Sequence, residues 1–362
     1  MSGSLLAAAE PHSQVEQRHC KVEPIGDEDA GLWDAYVQSR PEAAAYHRYG
    51  WRKVIRGVFD RETYYLGARG AHGELCGVLP LVRLKGLVVG DVLVSLPYFT
   101  YGGVVASHAA AQSGLVQAAC DLGKRLGVDH IELRHRSNAC PALPARTDKV
   151  SLLLDLPASA AELNKALPAK LRSQIKRPQR EGVSAVNGGE ELLEEFYRVF
   201  AVNMRDLGTP VYPRSFFAAV LREFPSETRV FVVRHAQGPV AAGLVLGHGS
   251  ALEIPWASSL RNFNALGVNM LLYWSVLEYA CGAGFRRFDF GRSTVDSGTF
   301  RFKRQWGAQP EQLHWHYWLR GGGAPPVLNS SNPKFKLAVS AWQRLPLSVA
   351  NRIGPMLARN LP

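Results

Sequence analysis

The stretch ETRVFVVRHAQGPVAAGLVL (227–246) aligns without a gap with ETYYLGARGAHGELCGVLPL (62–81), at an offset of 165 residues and with six identities. In each copy, two apolar runs flank a turn that contains a glycine, Gly73 in the first and Gly238 in the second. A glycine turn between two such runs is typical of a β-hairpin. The pair therefore predicts the same hairpin twice.

The elements that follow each hairpin repeat in the same order. A helical pattern covers 111–126 after the first hairpin and 265–283 after the second, and each ends near a glycine that suits a left-handed cap. A strand with one acid between apolar residues comes next, Ile131-Glu132-Leu133 in the first half and Phe288-Asp289-Phe290 in the second. We therefore predict an α/β (α+β) chain that contains two copies of one unit.

Composition limits the class of protein. A chain of 362 residues with 46% hydrophobic side chains can bury a large core and is expected to form about two domains. The five cysteines are odd in number and scattered, which favours a reducing compartment and argues against a disulfide framework or structural zinc. His314 and His316 share a strand face but have no third ligand at a recognisable spacing, so we expect two exposed histidines and no metal.

The hydrophobic segments predict a cytoplasmic protein. The N-terminal MSGSLLAAAEPHSQ has a five-residue apolar run and no basic leader, unlike a signal peptide. The most apolar region, 78–105, is interrupted by charged residues and glycines, so it does not make a membrane span of ~20 apolar residues.

The net charge of +11 and the pI near 9.5 indicate an anionic partner. One basic segment, KALPAKLRSQIKRPQR (165–180), fits either a solvated helix face or a helix that contacts phosphates. The other, 321–362, has no Asp or Glu and reads as two short amphipathic helices separated by Pro346. These helices either pack on the body of the protein or rest on an anionic membrane surface.

The stretch GFRRFDFGRSTVDSGTFRFKRQWG (284–307) contains the strongest candidate site. Strand alternation places Asp289 on the face opposite Phe288 and Phe290. Arg292 and Lys303 then bracket a polar turn. This arrangement suits an anionic or carbonyl-bearing ligand at a strand end, and an ordinary polar loop is the alternative.

A second candidate lies where the strand-like 251–259 leads into the helix of 265–283. The loop feeds backbone N–H groups into a helix N-terminus, which favours phosphate. GNAT acyltransferases have Q/R-x-x-G-x-G/A at this point, whereas this chain has Gly267 between Asn264 and Asn269. Dinucleotide, P-loop and hydrolase motifs are absent from the sequence.

Together, these features resemble the FemAB family of aminoacyl and acyl transferases. The resemblance rests on the order of elements, on FDFG at 288–291 and on F-K-R at 302–304. Three further segments resemble the subgroup associated with PEP-CTERM/exosortase and exopolysaccharide loci: VSLPYFTYGG (94–103), NMRDLGTPVYP (203–213) and WQRLPLSVANRIGPMLARNL (342–361). The resemblance spans residues 30–361.

The resemblance implies two tandem GNAT-like acyltransferase domains, each a mixed, mostly antiparallel sheet flanked by helices. We predict an N-terminal domain at 20–150, a C-terminal domain with the acyl-donor site at 151–320, and a basic amphipathic tail at 321–362. Since Glu132-Leu133-Arg134-His135 lacks the glycine of FDFG, we expect the N-terminal copy to bind rather than to catalyse.

The resemblance also implies an acyltransferase that forms an amide bond. It would transfer an aminoacyl or acyl group to an amino group of a cell-envelope or exopolysaccharide precursor, a phosphorylated or nucleotide-linked acceptor. The donor is aminoacyl-tRNA or acyl-CoA, tRNA is a partner in the first case, and no bound cofactor is expected. The location would be cytoplasmic, with peripheral contact at the inner membrane face. One alternative is an acyl-CoA-dependent N-acyltransferase acting on an amino sugar; another is a noncatalytic adaptor of a polysaccharide export or sorting system.

Amide formation from an activated ester or thioester needs a neutral amine, a stabilised oxyanion and an acceptor for the amine's proton. We predict Lys303, with Arg292, as the electrostatic stabiliser, and Asp289 or Glu253 as the base. The resemblance places Lys303 near the donor carbonyl and the terminal adenosine of the donor.

Two groups of binding residues complete the predicted site. The resemblance implies an acceptor-binding role for Arg52 and Lys53, because in that family a basic residue after an early tryptophan contacts the acceptor's phosphates. The donor-binding group is Asn264, Gly267, Asn269, Arg292, Ser293, Phe302 and Arg304. The acceptor-binding group is Arg52, Lys53, Tyr98, Tyr101, Asn203, Arg205 and Tyr212.

Overall fold

The computed structural model describes residues 20–86, 89–326 and 333–361. The strands in these ranges are β1 (Lys21–Pro24), β2 (Thr63–Arg69), β3 (Leu75–Gly86), β4 (Gly90–Val94), β5 (Val105–Ala106), β6 (His130–His135), β7 (Ala145–Arg146), β8 (Lys149–Asp155), β9 (Ser184–Gly188), β10 (Thr228–His235), β11 (Gly238–His248), β12 (Ala251–Ser259), β13 (Arg287–Thr294), β14 (Gln309–Gln312) and β15 (His314–Leu319). The α-helices are α1 (Ala30–Gln38), α2 (Trp51–Phe59), α3 (Ala109–Leu126), α4 (Ala160–Ala166), α5 (Ala169–Arg180), α6 (Leu193–Leu207), α7 (Arg214–Glu223), α8 (Val268–Gly282), α9 (Gly298–Arg304), α10 (Pro333–Gln343) and α11 (Leu347–Ala358).

The described strands form two sheets. The first has the order β1-β2-β3-β4-β6-β15-β7, with β5 paired to β3, and the second has the order β14-β8-β13-β12-β11-β10-β9. Each sheet contains one parallel pair, β4 with β6 and β12 with β13, and the other pairs in the described ranges are antiparallel. The predicted architecture of mixed, mostly antiparallel sheets with flanking helices is confirmed.

The two predicted hairpins are β2–β3 and β10–β11. Their turns contain Gly73 and Gly238, with φ of 82° and 113°, a conformation that favours glycine. The helices of the repeat end as expected, since Gly127 after α3 and Gly284 after α8 have φ of 64° and 83°. Local sequence pattern therefore accounts for the repeated unit.

The chain crosses between the sheets more than once. Strand β8 enters the second sheet beside β13, and β14 pairs with β8. The next strand, β15, then returns to the first sheet and lies between β6 and β7. The domain limits of 20–150, 151–320 and 321–362 stay a prediction, and β15 joins the sheet of the first half.

The two sheets share one aromatic core. Trp51 of α2 contacts Phe99, with ring centroids 4.5 Å apart, and Phe224 from the second half, at 4.8 Å. Phe99 also contacts Trp256 of β12, at 5.9 Å. All four side chains are buried. Since each fully buried large apolar side chain stabilises a fold by roughly 1.5–3 kcal/mol, this core holds the two halves together.

The C-terminal segment forms α10 and α11, which both contact α6. Small residues let α11 approach closely: Ala350, Gly354 and Ala358 form its buried face, and Gly354 lies against Val211. The predicted packing of the tail on the body is therefore observed. Among the described residues, no helix has the length and apolar character needed to span a membrane.

Candidate active site

The parallel strands β12 and β13 place two acids side by side. Glu253 and Asp289 are Cα partners at the last paired position, beyond which the two strands no longer pair with each other. Neighbouring strands lie about 4.8 Å apart, so the two carboxyl groups are close. Both residues are buried, with 9% and 5% of their surface exposed. Burial, and then the charge of Asp289, raise the pKa of Glu253 well above its usual range, which favours the protonated form of this carboxyl group.

Asp289 is held by three hydrogen bonds. Tyr101 donates from its hydroxyl at 2.6 Å, Ser151 from its hydroxyl at 2.7 Å, and Gly291 from its backbone N–H at 2.7 Å. The φ of 74° at Gly291 turns this N–H toward the carboxylate. Because Tyr101 comes from the first half and Ser151 from β8, Asp289 links the two halves.

Lys303 lies on α9, whose N-terminus is capped by Ser297. Its ammonium donates to the carbonyl oxygens of Gly291 at 2.8 Å and Arg292 at 2.9 Å. An ammonium has three N–H donors, so one remains beyond these two bonds. Burial lowers the pKa of Lys303 to about 8, although the nearby negative charge of Asp289 opposes this effect.

A cavity of about 420 Å³ lies between the two halves and is lined by both. The loop between β4 and β5 contributes Tyr98, which adopts a left-handed φ of 75°, a conformation that costs energy for a residue other than glycine. Six predicted site residues line the cavity: Lys303, Glu253, Arg292, Tyr98, Asn203 and Tyr212. Tyr101 and Asp289 are buried and are not among the lining residues.

Arg292 is exposed and lies beside an aromatic side chain of the returning strand. Its guanidinium is 5.1 Å from the ring centroid of Trp315, and the buried Arg134 is 4.3 Å from the same ring. Trp315 belongs to β15, which is part of the first sheet. The cationic edge of the cavity therefore depends on both halves of the chain.

The matching position in the first half has different chemistry. Glu132 on β6 is the counterpart of Asp289, but its parallel-strand partner is Val94 instead of a second acid. Burial would raise the pKa of Glu132, but Arg134 and Tyr317 hold it below its usual range. The first half therefore has a single carboxylate in an ion pair at this position, and its expected role in binding stays a prediction.

Three predicted donor-binding residues lie at the start of α8, outside the cavity lining. Asn264 is exposed, and Gly267 adopts a left-handed φ of 81° at the helix N-cap. Asn269 lies four residues before Tyr273, which lines the cavity, so both side chains are on one face of α8. The helix N-terminus is thus one turn from the cavity wall.

The other predicted donor-binding residues surround α9. Ser293 is buried on β13, and its hydroxyl has no hydrogen-bond partner among the described residues. Phe302 packs against Tyr273, with ring centroids 5.0 Å apart. Arg304 donates to the carbonyl of Ala308 at 2.7 Å and is not among the cavity residues.

The predicted acceptor-binding cations are not brought to this cavity. Arg52 donates to the carbonyl of Ile25 at 2.7 Å, and Lys53 forms an ion pair with Glu223 at 2.8 Å. Both line a separate groove of about 750 Å³ along α2. Arg205 forms an ion pair with its neighbour Asp206 at 2.7 Å. The acceptor-binding role of these residues stays a prediction.

One expectation about the histidines is wrong, because His316 is fully buried on β15, the strand next to the short edge strand β7 of the first sheet. Its Nδ1 lies 3.0 Å from Nδ1 of His135, and its Nε2 lies 2.9 Å from Oδ1 of Asn138. Nε2 of His135 accepts from the N–H of Val104 at 3.0 Å. These bonds occupy both nitrogens of each ring, and the thiol of the buried Cys140 lies close to the two histidines.

A second His/Cys group joins residues far apart in sequence. Sγ of Cys20 lies 3.4 Å from Sγ of Cys76 and 3.6 Å from Nε2 of His108. Nδ1 of His108 accepts from the N–H of Ala111 at the start of α3, which leaves the ring proton on Nε2. That tautomer has no lone pair for a metal at Nε2. The expected absence of a metal site stays a prediction.

Two residues at the site were missed by the sequence reasoning. Ser151 carries a hydroxyl inside the apolar strand VSLLLD, and this polar interruption was the available signal. Trp315 gave no such signal, since an aromatic residue in a strand is ordinary core sequence. Only the return of β15 to the first sheet places it beside Arg292.

Comparison with protein families supports the GNAT fold. Residues 169–304 match the model of the "Acetyltransferase (GNAT) domain" family, a range that runs from α5 to α9. The second half therefore matches an acyltransferase-type domain, which supports the prediction of an acyltransferase.

A curated relative and two solved structures extend the likeness. The chain is similar to the UDP-N-acetylmuramoylpentapeptide-lysine N(6)-alanyltransferase of Weissella viridescens, with 24% identity over 141 residues, 38% of this chain and 42% of the relative. The crystal structure of FemX superimposes with a TM-score of 0.63 at 14% identity, covering 88% of this chain and all of that one. A tandem GNAT protein from the clavulanic acid biosynthesis pathway superimposes with a TM-score of 0.51 at 15% identity. The superposition covers 85% of this chain and all of that one.

These likenesses establish the fold as two tandem GNAT-like units. They support homology to GNAT-fold transferases of the Fem type. The match to the alanyltransferase spans less than half the length of that relative. The association with PEP-CTERM/exosortase loci stays a prediction.

Proposed function

We propose that this protein is a Fem-type N-acyltransferase that forms an amide bond in the cavity between its two halves. The observation that carries the proposal is the pair Glu253 and Lys303, which line the same cavity. In this proposal Glu253 carries a proton to the leaving group and afterwards accepts the proton of the amine, and Lys303 offers its remaining N–H donor to the oxyanion. Together they can provide proton transfer and oxyanion stabilisation for acyl transfer to an amine.

The proposed reaction moves one proton through Glu253. The lone pair of a neutral amine attacks the donor carbonyl, and Lys303 donates a hydrogen bond to the oxyanion that forms. As the bond from the carbonyl carbon to the leaving oxygen or sulfur breaks, Glu253 gives its proton to that atom. The amine nitrogen then releases a proton to the Glu253 carboxylate, which restores the starting state.

Asp289 acts as a positioning residue in this scheme. Its three hydrogen bonds fix the carboxylate, and its negative charge helps to keep the neighbouring Glu253 protonated. We propose Glu253 rather than Asp289 as the base, and the lining of the cavity by Glu253 supports this choice.

A phosphate-rich donor fits the surroundings of the second half. Helix α5 lies next to the N-terminus of α8, with the carbonyl of Gln174 and the ring of Pro178 near Gly267. Its cations at 170, 176, 177 and 180 are exposed. We propose aminoacyl-tRNA as the donor, by analogy with the alanyltransferase relative. An acyl-CoA donor is the second candidate, favoured by the match to the GNAT domain.

The acceptor is proposed to be an amine on a cell-envelope or exopolysaccharide precursor that carries phosphate or a nucleotide. The groove with Arg52 and Lys53 would bind its charged part. We further propose that the protein acts in the cytoplasm, with peripheral contact at the inner membrane face. A noncatalytic adaptor of polysaccharide export would not need the proton-bearing Glu253 beside Lys303.

Thermal shift tests the donor part of the proposal, because a ligand that binds only the native state raises the melting temperature by mass action. The ligands are acetyl-CoA, aminoacyl-tRNA and UDP-linked amino sugars, each tested with the natural chain and with Lys303→Ala. A shift with one donor that Lys303→Ala removes would support the site and name the donor class. Equal shifts in both chains would contradict the role of Lys303.

A further inference from the structure

Exposed apolar side chains collect on one part of the surface. Seven large apolar residues in the described ranges are exposed, and five of these belong to the C-terminal helices or border them. Leu337 on α10 is 72% exposed and Met356 on α11 is 60% exposed. The five residues are Leu207, Leu337, Val349, Met356 and Leu357. We use the name tail surface for these five residues together with the exposed cations that lie between them. A cluster of this kind marks an interaction site.

Helix α11 shows how this surface is built. Its inner face consists of small residues that pack on the body, as described above. Its outer face carries Val349, Arg352, Met356 and Arg359, at spacings of three and four residues, and all four are exposed. Apolar and cationic side chains therefore alternate on the outward side of the helix.

The charge on the tail surface has one sign. The last acid in the sequence is Glu311, so no carboxylate side chain lies in the segment that forms α10 and α11. Lys336, Arg344, Arg352 and Arg359 are exposed there. A second copy of this chain on the same face would bring like charges together, whereas a membrane of anionic phospholipids offers negative headgroups and an apolar interior.

We infer that the tail surface binds an anionic phospholipid bilayer, with the apolar residues at the headgroup boundary and the cations on lipid phosphates. The biological use of this membrane contact rests on the proposed function, acyl transfer to a cell-envelope precursor. The binding itself does not require acyl transfer, so it can be measured separately.

The tail surface adjoins the candidate active site. Leu207 lines the cavity and is also exposed, and the next residue, Gly208, contacts Val339 of α10. A second contact joins the cavity to the end of α11: the hydroxyl of the cavity residue Tyr98 donates a hydrogen bond to the carbonyl of Arg359, at 3.0 Å. A bilayer bound at the tail surface would therefore lie beside the cavity.

Vesicle sedimentation with the full chain tests this inference. One set of vesicles contains phosphatidylcholine only, and the other contains phosphatidylglycerol in addition. We expect binding to the anionic vesicles only. Met356→Glu should weaken it at least tenfold, and Arg352→Gln about fivefold, the effect of one cation near an anionic surface.

The controls use exposed residues elsewhere in the chain. Leu32 on α1 is 56% exposed, so Leu32→Glu matches Met356→Glu in chemistry and exposure. Lys124→Gln on α3 matches Arg352→Gln in the loss of one exposed charge. These controls should bind as the natural chain does, and all variants should keep its melting temperature.

Three results would overturn the inference. The first is the absence of binding to anionic vesicles, and the second is equal weakening by Met356→Glu and Leu32→Glu. The third is a dimer in sedimentation velocity that Met356→Glu dissociates, which would assign the tail surface to a second copy. Since neither experiment includes a donor or an acceptor, failure of the acyl-transfer proposal would appear separately, in the donor thermal shifts.

Discussion

The pH dependence of acyl transfer provides a quantitative test of Lys303. Burial lowers the pKa of this residue to about 8, and the proposed role requires the ammonium form. The charged form should therefore predominate below pH 8 and be lost as the pH rises through that value. From the pKa, about 97% of the chains carry the charge at pH 6.5 and about 3% at pH 9.5.

A comparison with Lys303→Arg isolates this effect. The acceptor amine also titrates, and its deprotonation raises the rate with pH in every variant. The ratio of the natural rate to the Lys303→Arg rate cancels that shared dependence, because arginine stays charged across the range. This ratio should fall about 30-fold between pH 6.5 and pH 9.5.

The assay is amide formation under single-turnover conditions, followed by mass spectrometry of the product. Lys303→Met, which removes the charge, should lower the rate by about 10²–10³ at pH 7, the effect of losing one oxyanion donor. Lys124→Met, at an exposed position on α3, should leave it unchanged. A ratio that does not vary between pH 6.5 and pH 9.5 would refute the proposed role of the Lys303 charge.

Three further substitutions test other parts of the site and the fold. Glu253→Gln should lower the transfer rate by about 10²–10⁴, because it removes the proton carrier. It should not lower the melting temperature at pH 7, because it removes one of two adjacent buried acids. An unchanged transfer rate would contradict the proposal. Tyr101→Phe deletes a hydrogen bond to buried Asp289 and should lower the free energy of unfolding by about 1.5–3 kcal/mol in urea denaturation, whereas no change would show that Asp289 finds another donor. Trp51→Ala opens the shared core and should cost about 3–5 kcal/mol by the same measurement, and a loss below 1 kcal/mol would argue against that core as the joint between halves.

Features encoded by nearby residues could be predicted from the sequence. The hairpins, α3, α8 and the strand with Asp289 all follow from apolar spacing and from glycines at turns and caps. The placement of Asp289 opposite Phe288 and Phe290 is also local, since strand side chains alternate. The structure confirms it, with both rings in the core and Asp289 bonded to Tyr101.

Contacts between distant residues could not be predicted in this way. Tyr101 and Asp289 are 188 positions apart, and no spacing rule connects them. His316 was expected to be exposed because no third ligand accompanied the two histidines, but β15 pairs with β6 on one side and β7 on the other, and His316 is buried there. Arg52 and Lys53 were grouped with the acceptor site by resemblance, and the structure places them in a separate groove.

No sequence signal marks the point at which β12 and β13 stop pairing. The pairing ends at Glu253 and Asp289, and at this point Glu253 is buried and has an acidic neighbour. Sequence identified both acids as candidates. Only the pairing of the strands distinguishes the cavity-lining Glu253 from the hydrogen-bonded Asp289.

Product formation is the most direct test of the central claim, that Glu253 and Lys303 carry out acyl transfer to an amine in the cavity between the halves. The purified chain would be incubated with alanyl-tRNA or acetyl-CoA and with amine-bearing UDP-linked precursors, and amide products would be measured by mass spectrometry. We expect an amide from at least one pair of donor and acceptor, with its formation reduced at least 100-fold by Glu253→Gln and by Lys303→Met but not by Lys124→Met. An amide formed equally by all four chains would contradict the central claim, as would no amide from any pair.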